Sequence, residues 1–324
     1  MTRVARRRMT IASAILALAL VCSAPSAGAR AQDPPPAQRS QTPTFKAGTS
    51  GVTVDVSVRD ARRRAITGLQ RQEFEVYDNG VLQQVNEVSY GKLPIDVTVA
   101  LDVSASVSGS LLDRLRKGIG QLMNDLGRED RLKLILFNMR VARTIDFTRD
   151  VKAVEEAIRG ARAGGGTALL DTLSVALVSS SHPDRRQLIV VFTDGSDSSS
   201  ITGNSTLTSV AQRTRATLTF VMPGTIRPTI TSGNRVITLP IAPLFSAPSP
   251  IVTTLARETG GTILPVGSGS DLSAAFRGVL NDFRSCYVLY YSAQGVDRDG
   301  YHAIEVKVKR EGAVVQARRG YFGS

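Results

Sequence analysis

The fold of this chain is decided by the stretch Ile95–Ser106, which reads IDVTVALDVSAS. Apolar residues alternate with other residues as far as Leu101, and a helical pattern begins a few residues later, which predicts a buried strand. The strand ends in Asp102, Ser104 and Ser106, so one carboxylate and two hydroxyls lie at its carboxyl end, where open α/β sheets bind ligands. Oxygen ligands of this kind suit a hard cation such as Mg²⁺, which keeps coordination positions for outside groups.

Two later stretches could complete the shell of such a cation. Gly164-Gly165-Gly166-Thr167 opens a predicted helix, and its glycines allow the backbone to approach closely while Thr167 adds a hydroxyl. The apolar run Leu188–Phe192 predicts a second buried strand, and Asp194 follows at its tip. The alternative interpretation is that a serine-rich strand end only satisfies the backbone of a turn.

Through these residues the chain resembles a von Willebrand factor type A (VWFA) domain with a metal-ion-dependent adhesion site. The resemblance implies that Ser104, Ser106 and Thr167 are direct ligands and that Asp102 and Asp194 act through water. It also implies Mg²⁺ as the cation, with Mn²⁺ and Ca²⁺ as alternatives. Asp171, on the helix after Thr167, is interpreted as a local hydrogen-bonding residue rather than a ligand.

The periodicity of apolar residues divides the rest of the chain into an α/β part and two β-rich segments. Residues 93–284 alternate strand and helix, which predicts a doubly wound, Rossmann-like, mostly parallel sheet with helices on both faces. Residues 46–92 and 285–324 have a period of two, and neither segment has enough strands to be stable alone. We therefore expect both to pair into one small β-sandwich, into which the VWFA domain is inserted.

This whole layout resembles a bacterial family of secreted VWFA-related proteins common in acidobacteria. The stretches that carry the resemblance are Gly68-Leu69, Glu73-Phe74, Asp78-Asn79-Gly80 and Tyr321-Phe322. Asn79-Gly80 is itself a strong signal for a two-residue hairpin, because both positions tolerate positive φ.

The amino-terminal residues predict export. Arginines at positions 3 and 6–8 precede the apolar run Ile11–Val21 and small residues that suit cleavage, so residues 1–31 are predicted to be a signal peptide. The proline-rich residues 32–45 are predicted to be a linker. We expect a periplasmic, cell-surface or extracellular protein with no stable membrane span in the mature chain. Cys286 would then be the one mature cysteine, and its apolar neighbours predict a buried side chain.

The sequence gives little support for a nucleophilic active site, a phosphate-binding loop or a nucleic-acid interface. There is no Gly-x-Ser-x-Gly motif or phosphate loop, and His182 and His302 are predicted to be surface or edge residues rather than general bases. The basic clusters at 62–64, 185–186 and 318–319 are short and lack interleaved aromatic residues. Despite the net charge of +12, we interpret them as solvated turns and expect no nucleic-acid partner.

These observations favour an exported, non-enzymatic binding module whose Mg²⁺ completes its coordination with an Asp or Glu of a protein partner. One alternative is an assembly or regulatory subunit, like the type A domains that serve chelatases. Another is a secreted hydrolase that uses the metal to activate water. Residues 225–250, rich in proline, serine and threonine, are either a partner-contacting element or a surface hairpin without a role.

Overall fold

A computed structural model describes residues 51–91, 93–107, 109–179, 184–223, 229–232, 235–238, 248–267 and 270–323, with only the backbone for 229–232 and 235–238. All of these residues belong to one compact unit, Phe45–Ser324. The predicted signal peptide, the whole predicted linker and His182 lie outside the described residues.

The strands follow one another along the chain as β1 (Gly51–Arg59), β2 (Phe74–Asp78), β3 (Val81–Gln83), β4 (Val85–Tyr90), β5 (Ile95–Asp102), β6 (Arg131–Phe137), β7 (Val141–Thr148), β8 (Arg186–Phe192), β9 (Thr217–Pro223), β10 (Thr229–Ser232), β11 (Arg235–Thr238), β12 (Ile263–Val266), β13 (Tyr287–Ser292), β14 (Gly300–Val308), β15 (Val314–Ala317) and β16 (Gly320–Gly323). The α-helices are α1 (Ser110–Asp125), α2 (Val151–Arg159), α3 (Leu169–Val178), α4 (Asn204–Arg213), α5 (Pro250–Thr259) and α6 (Leu272–Arg284).

The α/β part is built on a six-stranded sheet in the order β12-β9-β8-β5-β6-β7. Its pairs are parallel except for β6 with β7. Every residue of β5 is buried, because helices cover both faces of the sheet. One core contains side chains of α1, α2 and α6, and the other contains side chains of α3, α4 and α5. The predicted doubly wound fold is confirmed.

The residues before and after this sheet form two four-stranded sheets, in the orders β15-β1-β13-β4 and β16-β14-β2-β3. Each sheet takes strands from both ends of the chain. Strand β13, which follows the α/β part, pairs with β4, which precedes it, so that Leu289 lies opposite Val88. The two sheets share one apolar core, which confirms a β-sandwich interrupted by the α/β part. Asn79 and Gly80 both have positive φ at the predicted hairpin between β2 and β3.

One buried polar cluster joins the two sheets of the sandwich. The Asp78 carboxylate accepts hydrogen bonds from the hydroxyls of Tyr291 and Tyr321, each at 2.9 Å, and lies 2.8 Å from Nδ1 of His302. Tyr291 belongs to the other sheet, so this carboxylate links the two layers. Burial raises the pKa of Tyr291, which keeps its hydroxyl protonated and able to donate. We name Asp78, Tyr291, His302 and Tyr321 the tyrosine cluster.

The predicted surface or edge position of His302 is therefore wrong. Its side chain is fully buried, and its strand β14 lies between β16 and β2. The reason is that His302 occupies an inward position of β14 and finds a carboxylate on β2. The prediction for Cys286 is confirmed, because its thiol is buried and burial raises its pKa to about 11.

The sandwich packs against the amino ends of the parallel strands. Arg186, at the start of β8, donates from Nε to Asp55 at 2.6 Å and stacks on the Phe283 ring. Arg318 donates to the carbonyl of Thr214, just before β9, at 2.7 Å. Both arginines are buried, so the interpretation of their two clusters as solvated turns was wrong at these positions. Each is buried because carbonyls or a carboxylate satisfy its guanidinium.

Residues 225–250 are described only in part. Strands β10 and β11 pair as an antiparallel hairpin, from Thr229 with Thr238 to Ser232 with Arg235. Among the described residues, no helix is long and apolar enough to cross a membrane.

Candidate metal centre

The candidate centre lies at the carboxyl end of β5 and β8, at the opposite end of these strands from the sandwich. It consists of the predicted residues Asp102, Ser104, Ser106, Thr167 and Asp194, which we name the hydroxyl site. Ser104 and Thr167 are buried, whereas Ser106 is exposed and Asp194 is partly exposed. The site therefore has a buried floor and an open side.

Asp102 organises the first loop of the hydroxyl site. One carboxylate oxygen accepts a hydrogen bond from the backbone N–H of Ser104 at 2.8 Å, and the other accepts from the hydroxyl of Thr193 at 2.9 Å. The hydroxyl oxygens of Ser104 and Ser106 lie 3.1 Å apart. These contacts hold two hydroxyls beside a buried carboxylate, which is a compact set of oxygen donors.

The charge of Asp102 has no cationic partner among the described residues. Its two hydrogen-bond donors are neutral, and its side chain is fully buried. Burial raises the pKa of this carboxyl, the nearby charge of Asp194 raises it further, and the bonds from Ser104 and Thr193 oppose the rise. A buried carboxylate whose ionised form is disfavoured by burial and by a second carboxylate, in a setting of hydroxyls, is suited to a divalent cation.

Thr167 reaches the same edge through the glycine loop. The carbonyl of Gly165 accepts from the N–H of Ala105 at 3.2 Å, and the N–H of Gly164 donates to the carbonyl of Val103 at 3.0 Å. Gly165 has a φ of 78°, a conformation that favours glycine. Two backbone hydrogen bonds thus join the loop carrying Thr167 to the Asp102–Ser106 loop.

Asp194 is fixed by its own turn. Its carboxylate accepts from the N–H of Ser196 at 2.9 Å, and the neighbouring Thr193 hydroxyl accepts from the N–H of Gly195 at 3.1 Å. Thr193 therefore links the tip of β8 to Asp102 on β5. The structure thus bonds Asp102, Ser104 and Ser106 to one another, couples Asp194 to Asp102 by charge, and holds Thr167 on an adjoining loop.

Sequence reasoning missed the loop that follows Asp194. The hydroxyl of Ser198 accepts from the N–H of Thr167 at 2.9 Å, and the N–H groups of Ser198 and Ser199 donate to the Thr167 carbonyl. Asp197 accepts from the N–H of Leu169 at 2.8 Å, which caps helix α3 from another part of the chain. The signal was present in the sequence, since Asp followed by three Ser residues is a run of side chains that bond nearby backbone.

Asp171 has a role in holding this loop. Its carboxylate accepts from the N–H of Ile201 and from the N–H of Thr202. Burial acts against ionisation, but these bonds outweigh it and lower the pKa of Asp171. These contacts are those of a local hydrogen-bonding residue, which is the role predicted for Asp171.

The donors of the hydroxyl site fit a hard cation better than a soft one. They are hydroxyl and carboxylate oxygens, and Mg²⁺ takes such ligands together with water. No group of three or more His, Cys, Asp or Glu residues that could hold a metal is found in the described part of the chain. A cation at this edge would therefore depend on the hydroxyls of Ser104, Ser106 and Thr167.

A comparison with known protein families finds a match in the part of the chain that contains this site. A family model described as von Willebrand factor type A domain matches residues 97–196, which include all five residues of the hydroxyl site. An uncharacterized protein of Synechocystis is 31% identical over 108 residues, which is 32% of this chain. The match spans about a quarter of that relative, 26% of its length.

Two bacterial proteins of known structure are similar to this chain. A von Willebrand factor type A protein from Catenulispora acidiphila covers 86% of this chain and 75% of its own, with 11% identity and a TM-score of 0.47. An aerotolerance-related membrane protein from Bacteroides fragilis covers 58% of this chain and 98% of its own, with 19% identity and a TM-score of 0.44.

Proposed function

This chain is a von Willebrand factor type A domain protein, a class that typically takes part in protein interactions and adhesion, and on that basis we propose that its hydroxyl site binds Mg²⁺ and, through it, a partner protein. Ser104, Ser106 and Thr167 would bind the ion directly, and Asp102 and Asp194 would act through water. An Asp or Glu of the partner would fill the remaining position. The role is one of binding rather than catalysis, and the protein acts after export.

The observation that carries the proposal is the uncompensated charge of Asp102. A buried carboxylate with only neutral donors, beside a second carboxylate, costs folding free energy unless a cation is present. Because the closest oxygens belong to hydroxyls, an ion held here would keep much of its positive charge. That residual charge is what would attract a carboxylate from outside.

The test is a titration of the protein with Mg²⁺, followed by calorimetry and by thermal unfolding. At ten times Kd, the bound ion should stabilise the wild-type protein by about 1.4 kcal/mol. Asp102→Asn should remove this stabilisation, yet the metal-free variant should remain folded, because a neutral amide is less costly to bury than a carboxylate. Ser104→Ala should also weaken Mg²⁺ binding.

Ser196→Ala is the matched control, because Ser196 lies in the same loop and its side chain is exposed. It should bind Mg²⁺ like the wild type. Equal Mg²⁺ binding by Asp102→Asn and the wild type would refute the proposed function.

A further inference from the structure

Two large apolar side chains lie in solvent on loops that border the hydroxyl site. Met139, in the turn between β6 and β7, is 55% exposed, and Ile201, in the loop after β8, is 96% exposed. Leaving such a side chain in water forgoes about 1.5–3 kcal/mol of burial free energy. A nearly fully exposed isoleucine beside a candidate binding site therefore suggests contact with a partner.

Both side chains are exposed although hydrogen bonds hold the backbone of each loop in place. The N–H of Ile201 donates to both oxygens of Asp171 at 3.1 Å, and Thr202 donates to the same carboxylate at 2.8 Å. Next to Met139, the carbonyl of Asn138 accepts from the N–H of Ala168 at 2.6 Å. The backbone bonds thus fix both residues in place with their side chains outside.

Both loops contact the glycine loop that carries Thr167, at neighbouring positions. A Cβ atom placed on Gly165 would lie 3.6 Å from Cε of Met139, so this side chain packs over that glycine. A Cβ atom on Gly166 would meet the hydroxyls of Ser198 and Ser199, in the loop that leads to Ile201. Met139 and the loop that leads to Ile201 therefore both adjoin the glycine loop beside the hydroxyl site.

Two exposed positive charges lie beside Met139 and the glycine loop. Arg140 follows Met139, and Arg162 lies just before the glycine loop; both are exposed. Within the part of the chain that the structure describes, neither arginine forms an ion pair. The free guanidinium groups would favour an acidic partner segment and disfavour a basic one.

We propose that Met139 and Ile201 form an apolar contact surface for a partner segment in which a large apolar residue lies within a residue or two of the Asp or Glu bound at the cation. This inference rests on the proposed function and specifies the partner as an acidic peptide segment with an apolar neighbour. The cation selects the carboxylate, and the two side chains select the residue beside it.

The test uses a displayed library of random peptides, selected on the full chain in Mg²⁺ and eluted with EDTA. The recovered peptides should be enriched in Asp or Glu with a large apolar residue within two positions. A synthetic peptide from this selection should bind Ile201→Ser and Met139→Ser about tenfold more weakly than the wild type, as fluorescence polarisation measures.

Val178→Ser is the matched control, because Val178 is 66% exposed at the end of α3 and lies on neither loop. This variant should bind the peptide within about twofold of the wild type. The affinity for Mg²⁺ alone should be the same in all three variants, because none of the changed side chains is among the proposed ligands.

The outcomes separate the two proposals. Two results would overturn the inference and leave the proposed function in place: recovered peptides that carry an acid without an apolar neighbour, or binding of the peptide by Ile201→Ser and Met139→Ser as tight as its binding by the wild type. A failure to recover any Mg²⁺-dependent peptide, together with no binding of Mg²⁺ by the wild type, would overturn both.

Discussion

Replacement of Asp78 by alanine should destabilise the β-sandwich more than any change at its surface. Asp78 is fully buried and accepts hydrogen bonds from Tyr291 and Tyr321 while it lies against Nδ1 of His302. Alanine has no side-chain oxygen, so all three partners would lose the carboxylate that accepts their hydrogen bonds. The three partners belong to β13, β16 and β14, so the change reaches both sheets.

The size of the effect follows from burial. Tyr291 and His302 are each only 1% exposed, so the hydroxyl of one and the Nδ1 proton of the other would have no water to bond to. An unsatisfied buried donor costs about 1–3 kcal/mol. Tyr321 is partly exposed and can turn to solvent. We therefore expect Asp78→Ala to lower the free energy of unfolding by about 3–5 kcal/mol, the usual cost of breaking a buried charged network.

The distribution of aromatic residues provides a specific assay. The chain has seven tyrosines and no tryptophan. All the tyrosines lie at positions 77, 90, 287, 290, 291, 301 and 321, within the segments that form the sandwich. Tyrosine fluorescence in a guanidinium titration therefore monitors the sandwich, whereas far-ultraviolet circular dichroism also monitors the helices of the α/β part.

Asp78→Ala should shift the fluorescence midpoint to lower denaturant by more than Asp78→Asn, which keeps one acceptor oxygen and should cost about 1–3 kcal/mol. The control is Glu305→Ala, an exposed carboxylate on β14 that forms an exposed ion pair with Lys307 and should change stability by less than about 0.5 kcal/mol. A midpoint for Asp78→Ala equal to that of the control would refute the assigned role of the tyrosine cluster.

Three further predictions concern other parts of the molecule. Asp197→Ala should lower stability by about 1–2 kcal/mol in a urea titration, because it removes the cap on α3; no change would mean that solvent replaces the cap. The Cys286 thiol should resist iodoacetamide in the native protein at pH 8 and react after denaturation, because it is buried and its pKa is raised to about 11; mass spectrometry of its peptide measures this, and native labelling would contradict it. Burial raises the pKa of Asp130, but hydrogen bonds from Arg284 and two backbone amides outweigh it and lower the pKa overall. The stabilisation is present above the ordinary pKa and is lost as pH falls through the pKa of the folded state. Asp130→Asn should therefore lower the free energy of unfolding by about 1–3 kcal/mol at pH 7, and this loss should shrink below about pH 4. Urea midpoints across this pH range test the prediction, and a loss that stays constant with pH would contradict it.

The parts of the fold that the sequence predicts well are those set by local periodicity. The alternation in Ile95–Leu101 and the apolar run Leu188–Phe192 identify two buried strands because apolar side chains must leave water wherever the chain goes. The insertion of the α/β part was also predictable, since neither flanking segment has enough strands to bury its own apolar face. The proximity of the loops of the hydroxyl site was predictable for another reason, because the carboxyl ends of parallel strands lie at one edge of the sheet.

The parts that local patterns miss are polar groups whose partners are distant in sequence. His302 and Arg318 read as exposed residues because no local sequence pattern marks the distant groups that bond a buried imidazole or guanidinium. Their partners, Asp78 and the carbonyl of Thr214, are brought to them only by the completed fold. The same holds for Asp197, whose role the sequence analysis does not identify and which caps a helix from another part of the chain.

The pairing of β4 with β13 has a consequence for the order in which the protein folds. During synthesis the whole α/β part emerges after β4 and before β13, so its local strand and helix contacts can form first. Until β13 is synthesised, strands β1–β4 have unpaired edges, and unpaired strand edges are the surfaces through which chains aggregate. The sandwich can close only when the last segment arrives, and a nascent chain that stalls before β13 would be the species that most needs a chaperone.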